Sequence, residues 1–418
     1  MTMAVPFRKD RLPNGIVVLT ERMPHVKSAA VGLWLRVGSR DEPARRAGIS
    51  HFIEHMLFKG TERRSAEDIA KAIDAVGGTL DAFTSRESTC FYAKVLGEHL
   101  PLAVDLLTDL LLRPRLAPED IERERQVVLQ EIKMVEDDPG DLVHDLFAGA
   151  LWGDHPLGRP VLGSRETLEA VGREEIRAHL RDFYQPDQVI VAAAGDVDHA
   201  HLMGLLGDAT QGWEGRALPL NAPAPVSRAA VARDGRESAQ VHLCMGVEAL
   251  PYAAPDRYAM FLLNALLGSS MSSRLFQEVR EKRGLAYSIY SYQQAYRDTG
   301  LLVVYAGTAP ESYRQVLDLV WGECRRVRDE PMDPDEFRRG KEQLKGNLLL
   351  GLESTNNRMT RLAKMEIYFG RYFDLDEIIR GIEAVTLEGF RDLTARLFGA
   401  DAYALTTIGP VPEPAAVA

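Results

Sequence analysis

Two histidines and a glutamate in one short run have the types and spacing to hold and use a metal ion. Residues 51–55 read His-Phe-Ile-Glu-His. On a helix, side chains four apart share a face, so His51 and His55 project together and Glu54 stands beside them. Two imidazoles placed in this way can grip one zinc ion at about 2.0–2.1 Å. A neighbouring carboxylate can take a proton from a water whose pKa such a metal lowers to about 7. The plainer reading of the same five residues is a helix with two surface histidines.

A catalytic zinc takes three protein ligands and keeps a fourth position open, so a third donor is needed. Pro118 opens a predicted helix that runs to about Val135. Its apolar stripe of Ile121, Val128, Ile132 and Val135 also carries Glu124 and Glu131. Carboxylates on an apolar face are costly unless paired or metal-bound. The pair suits one ligand and one supporting residue. It suits equally a solvated acidic face, because Glu119, Asp120 and Glu122 make the helix acidic in any case.

These helices need a frame. Strands are expected over Gly15–Thr20 and Ala29–Val37, then a helix from Ile49 to about Lys59, stopped by Gly60. A second helix is expected over Ala66–Val76, then two strands within Thr79–Val95 joined by the polar turn Ser85–Ser88, then a helix over His99–Leu112. Gly215–Arg236 contains Pro219, Pro223 and Pro225 without periodicity and is the linker candidate.

An internal repeat organises the rest. Glu169-Ala170-Val171 aligns with Glu383-Ala384-Val385, and without a gap Glu174 falls on Glu388 and Gly195-Asp196-Val197 on Gly409-Pro410-Val411. Near the front of each half, Val31-Gly32-Leu33 resembles Val241-His242-Leu243; the same displacement carries His51 to Phe261, Glu54 to Asn264 and His55 to Ala265. The expectation is an α+β fold of two homologous domains, 1–215 and 235–418, joined by a linker over 216–234. The second keeps the frame and lacks the metal residues.

A chain of 418 residues exceeds the usual span of one core. Its net charge of −11 and the lack of a phosphate loop or basic stripe argue against a nucleic-acid binder. Cys90, Cys244 and Cys324 are far apart and odd in number, so they suit a reducing compartment and exclude a thiolate zinc site. Met1–Asp10 lacks the apolar core of a secretory signal, and no apolar run is long enough to span a bilayer. A cytoplasmic protein with no membrane partner is expected.

The runs HFIEHMLFKGT from His51 and QVVLQEIKMV from Gln126 resemble the insulinase-type, or pitrilysin-type, zinc metallopeptidase family, in particular its short members similar to processing peptidases. The likeness covers essentially the whole chain. It implies one Zn2+ per chain on His51, His55 and Glu131, with Glu54 as general base and Glu124 supporting the site without ligating. It implies two domains, each a mostly antiparallel sheet with helices, forming half of a clamshell. Within Leu80–Thr84, it makes Ala82, Phe83 and Thr84 an edge strand that pairs with the substrate backbone; Asp81 stands where relatives often carry Asn. In the second domain it makes Arg280 and Tyr287 contacts to the substrate carbonyl. Only Gly268 remains of a glycine-rich loop at 267–272, which counts against specialised presequence recognition. The activity so implied is endopeptidase cleavage of peptides or unfolded segments in an enclosed chamber. The implied assembly is a homodimer, with a heterodimer as the alternative. The competing class is a non-catalytic structural or partner subunit of the same fold, whose members typically lose part of the zinc motif.

Overall fold

Long apolar strands need cover on both faces, and the chain supplies it twice. The computed structural model describes residues 7–220, 222–399 and 403–411. In the first half β1 (Phe7–Arg11), β2 (Val17–Arg22), β3 (Ser28–Leu35), β4 (Thr79–Thr84), β5 (Thr89–Leu96) and β6 (Val189–Gly195) form one sheet in the order β1-β2-β6-β3-β5-β4. In the second, β7 (Ala230–Asp234), β8 (Val241–Ala249), β9 (Ala286–Ala295), β10 (Gly300–Thr308) and β11 (Ala404–Ile408) form another in the order β7-β11-β8-β10-β9. Every residue of β6 and β10 is buried. Such strands read as continuous apolar runs because neither face meets water.

The two sheets share one topology. β2 lies parallel to β6, and β6-β3-β5-β4 are antiparallel. β7 lies parallel to β11, and β11-β8-β10-β9 are antiparallel. The repeated glycines end equivalent strands. Gly195 and Gly409 have φ of 117° and 120°, where a side chain is strained. Each carbonyl accepts the N–H two residues on, from Val197 at 3.0 Å and Val411 at 2.8 Å. The α+β expectation and the internal repeat therefore agree with the fold.

Each sheet has a core on either face. In the first, Leu33 and Phe91 pack with Phe52, Ile53 and Met56 of the helix Ile49–Leu57. On the opposite face Trp34, Cys90 and Ile190 pack with Met359, Leu362 and Ala363 of the helix Thr355–Phe369, where the Trp34 indole N–H donates to Met359 Sδ at 3.2 Å. In the second, Leu243 and Leu302 pack with Leu262, Leu263 and Leu266 of the helix Arg257–Leu267. On its other face Cys244 and Val303 pack with Val143, Phe147 and Leu151 of the helix Pro139–Trp152.

The compact units are therefore discontinuous. The first comprises the chain up to Lys133, Arg159–Ala222 and Gly351–Tyr372; the second comprises Met134–Gly158, Pro223–Leu350 and Phe373 onward. Boundaries at 1–215 and 235–418 do not describe them, because each half donates one helix to the other half's sheet. The span 216–234 is not wholly a linker either: it holds β7, a short edge strand with no fully buried residue to mark it. β1 escaped notice for the same reason, reading Phe-Arg-Lys-Asp-Arg with one residue half-buried and the rest exposed. Among the described residues no helix is long and apolar enough to cross a membrane. All three cysteines are free and buried.

Candidate metal centre

The helix Ile49–Leu57 buries Ile49, Phe52, Ile53, Met56 and Leu57, which fixes its rotation on the sheet. The remaining face carries His51, Glu54 and His55, all half-buried. The helix Pro118–Asp137 buries Ile121, Glu124, Val128 and Ile132 and brings Glu131 to the same place. Ligand atoms of His51, His55 and Glu131 lie within 4.8 Å of one another, a set found nowhere else among the described residues. Glu131 Oε2 is 3.7 Å from His51 Nε2 and 3.6 Å from His55 Nε2. These distances are too long for hydrogen bonds. They approach the separation of about 3.3–3.4 Å between two ligands of one tetrahedral zinc. The donor set thus fits one zinc ion.

The two imidazoles are held differently. His55 Nδ1 lies 2.9 Å from Glu124 Oε1. A carboxylate only accepts, so Nδ1–H donates and the Nε2 lone pair is left for a metal. Glu124 itself is buried, and Lys59 Nζ sits 2.7 Å from its second oxygen. His51 Nδ1 is buried and has no hydrogen-bond partner among the described residues. Burial, and then the neighbouring His55, lower the His51 pKa to about 4. His51 is therefore neutral at pH 7, the form that can ligate.

Glu54 lies beside this set. Burial raises its pKa, and the hydrogen bond from Thr84 and the charge of His55 pull it back, while Asp81 and Glu131 push it further up. Thr84 Oγ1 donates to Glu54 Oε2 at 2.5 Å. Thr84 ends β4, the edge strand next to β5. Along β4, Ala82 packs into the helix-side core, and Phe83 meets Trp34 edge-on with ring centroids 5.3 Å apart. Asp81 accepts the Tyr92 hydroxyl at 3.1 Å.

Arg280 and Tyr287 belong to the second unit. Arg280 lies in a π-helical turn, Phe276–Glu281, a distortion enriched at functional positions. Its guanidinium stacks over the Phe276 ring at 4.9 Å and the Tyr287 ring at 5.1 Å. Tyr287 is 80% exposed, unusual for a large aromatic side chain.

Sequence reasoning missed Lys59 and the bond from Thr84 to Glu54. Lys59 stands four residues after His55, a spacing that could have drawn attention to it. The Thr84 bond joins a strand to a helix, and no local spacing signals it.

Two family models match the chain: Insulinase (Peptidase family M16) over residues 17–165 and Peptidase M16 inactive domain over residues 170–344. An uncharacterized zinc protease of Streptomyces coelicolor is 43% identical, covering 97% of this chain and 90% of the relative. The uncharacterized zinc protease YmxG of Bacillus subtilis is 41% identical, covering 95% and 97%. The chain belongs to the insulinase family. Solved structures of a protease from Helicobacter pylori and of a peptidase M16 inactive domain from Pseudomonas fluorescens share the fold. Their TM-scores are 0.90 and 0.91 at 20% identity, and they cover 97% and 98% of this chain and 100% of each of theirs. Within the insulinase-family chain, the segment matched as inactive contains Phe261, Asn264 and Ala265 where the first half has His51, Glu54 and His55.

Proposed function

We propose that this insulinase-family chain is a zinc-dependent endopeptidase of the His-x-x-Glu-His type, with one Zn2+ per chain on His51, His55 and Glu131. The observation that carries the reading is the convergence of those three ligand atoms within 4.8 Å, next to Glu54. The names of the bacterial relatives as zinc proteases support it. Zinc bound there would lower the pKa of a water to about 7 and polarise the scissile carbonyl.

Glu54 then accepts a proton from the attacking water and delivers it to the leaving amine. The Thr84 hydroxyl holds one oxygen of that carboxylate, leaving the other for proton transfer. Burial raises the Glu54 pKa, which makes its carboxylate a stronger base for the first step. The β4 edge, through Ala82, Phe83 and Thr84, takes an extended peptide by strand addition, a mode that grips main chain and leaves side-chain choice loose. Arg280 and Tyr287 donate to the carbonyl oxygen as negative charge develops on it. The substrates are peptides or unfolded segments admitted to a closed chamber, and the compartment is the cytoplasm, in keeping with three buried free cysteines.

Two copies of the chain supply each working site, the zinc residues from one and Arg280 with Tyr287 from the other. Mixing inactive Glu54→Gln protein with inactive Arg280→Ala protein is expected to restore hydrolysis; no recovery would refute the shared site. For the enzyme reading itself, Glu54→Gln is expected to keep its zinc and lose hydrolysis of an unfolded peptide library. Wild-type protein that binds zinc yet cleaves nothing, alone or with a partner subunit, would contradict it.

A further inference from the structure

His55 is oriented through its own ring by Glu124, but His51 has no equivalent bond. Its placement depends on where the backbone of its helix starts. That start is unusual. Other helices here, such as Ala66–Asp74 with Ser65, Leu375–Glu383 with Asp374 and Leu387–Phe398 with Thr386, have an N-cap side chain that accepts an N–H of the first turn. The helix Ile49–Leu57 has Gly48 there, with no side chain to offer. The first N–H groups are met instead by a residue six positions upstream. Glu42 Oε2 accepts from the Gly48 N–H and Glu42 Oε1 from the Ser50 N–H, both at 2.7 Å.

Glu42 is buried, and among the described residues no lysine or arginine side chain pairs with its carboxylate. Burial raises the Glu42 pKa to about 8, a cost that a surface serine cap does not carry. The arrangement is therefore a poor stability device and a good locating one. Its segment is itself tied down. Ser39 N–H donates to Ser85 O at 3.1 Å and Arg40 N–H to Arg86 O at 2.8 Å, just beyond Thr84 and β4, while Arg159 Nη1 donates to Glu42 O at 3.2 Å. Glu42 thus links the end of β4, which holds Glu54 through Thr84, to the backbone immediately before His51.

We infer that Glu42 is a positioning residue for the metal centre, setting the helix start that places His51 against His55 and Glu131. The inference rests on the zinc reading above. The test is zinc affinity, measured by competition against a chromophoric chelator, with urea unfolding of the metal-free protein alongside. Glu42→Gln keeps the shape but presents an amide NH2 to one of the two N–H donors. It is expected to weaken zinc binding about ten- to hundredfold, the effect seen when supporting residues of metal ligands are removed. Its metal-free stability should stay near wild type at pH 7, because burial already holds Glu42 largely protonated and Gln replaces it with a neutral side chain of the same shape. Glu42→Asp, with the carboxyl kept and the reach shortened, should fall between and serves if the first variant does not fold. Unchanged zinc affinity in these variants, with stability lowered, would make Glu42 merely structural and overturn the inference. Wild-type protein that binds no zinc would overturn the zinc reading and this inference together; equal binding by wild type and variants overturns this inference alone.

Discussion

Strands β2-β6-β3-β5-β4 of the first unit and β7-β11-β8-β10-β9 of the second run in the same order with the same directions, and a helix follows the equivalent strands β3 and β8. The helix Ile49–Leu57 offers His51, Glu54 and His55. In the helix Arg257–Leu267 the corresponding Phe261 is partly exposed, Asn264 Oδ1 accepts the Ser291 hydroxyl at 2.8 Å, and Ala265 is buried. The same frame thus presents a candidate metal-ligand set in one copy and ordinary packing in the other. Chemistry here resides in a handful of side chains and not in the sheet that presents them.

The sharpest way to break this comparison is to exchange equivalent residues. Glu54→Gln is expected to lower kcat/KM by roughly 10²–10⁴, the usual contribution of a general base. Asn264→Ala in the second unit should leave kcat/KM within about threefold, so equal losses in a peptide-cleavage assay would erase the distinction. Glu124→Ala should weaken zinc affinity about ten- to hundredfold by freeing the His55 ring, read by chelator competition. Lys59→Met should cost less, since it acts only through Glu124.

The shared frame can be tested through its glycines. An added Cβ would stand 2.1 Å from Ser28 O at Gly195 and 2.6 Å from Gln240 O at Gly409. Gly195→Ala and Gly409→Ala should each destabilise by about 1–3 kcal/mol in urea unfolding. A large cost at one and none at the other would show that the repeat is not structurally equivalent. A smaller effect concerns acid. His179 is buried in the first unit, its Nε2 has no partner among the described residues, and burial lowers its pKa to about 3. The folded state then binds fewer protons than the unfolded state. The stability this gives is complete above about pH 6.5 and is lost as pH falls toward 3. Metal-free His179→Phe should lose less stability between pH 7 and pH 4 than metal-free wild type.

Much of this was legible in residue order. The metal run, the paired glutamates and the repeated Gly-x-Val stops are local patterns, and local spacing is what a helix face or strand end depends on. The exchange of the helices Pro139–Trp152 and Thr355–Phe369 was not legible, because an apolar stripe reports that a helix packs but not on which sheet. The run Asp137-Asp138-Pro139-Gly140 reads as the end of a helix; it is also the start of the next, with Asp138 accepting from the Gly140 N–H at 2.7 Å. The hydrogen bonds of Glu42 and Thr84 cross tertiary gaps and form only when the segments meet.

The most direct test of the account is a zinc titration of metal-free protein, comparing wild type, His55→Ala and Glu131→Gln, with metal content measured after dialysis. The account predicts one tightly bound zinc per wild-type chain and none retained by His55→Ala or Glu131→Gln. Zinc retained at one per chain in His55→Ala and Glu131→Gln, or absent from wild type, would contradict it.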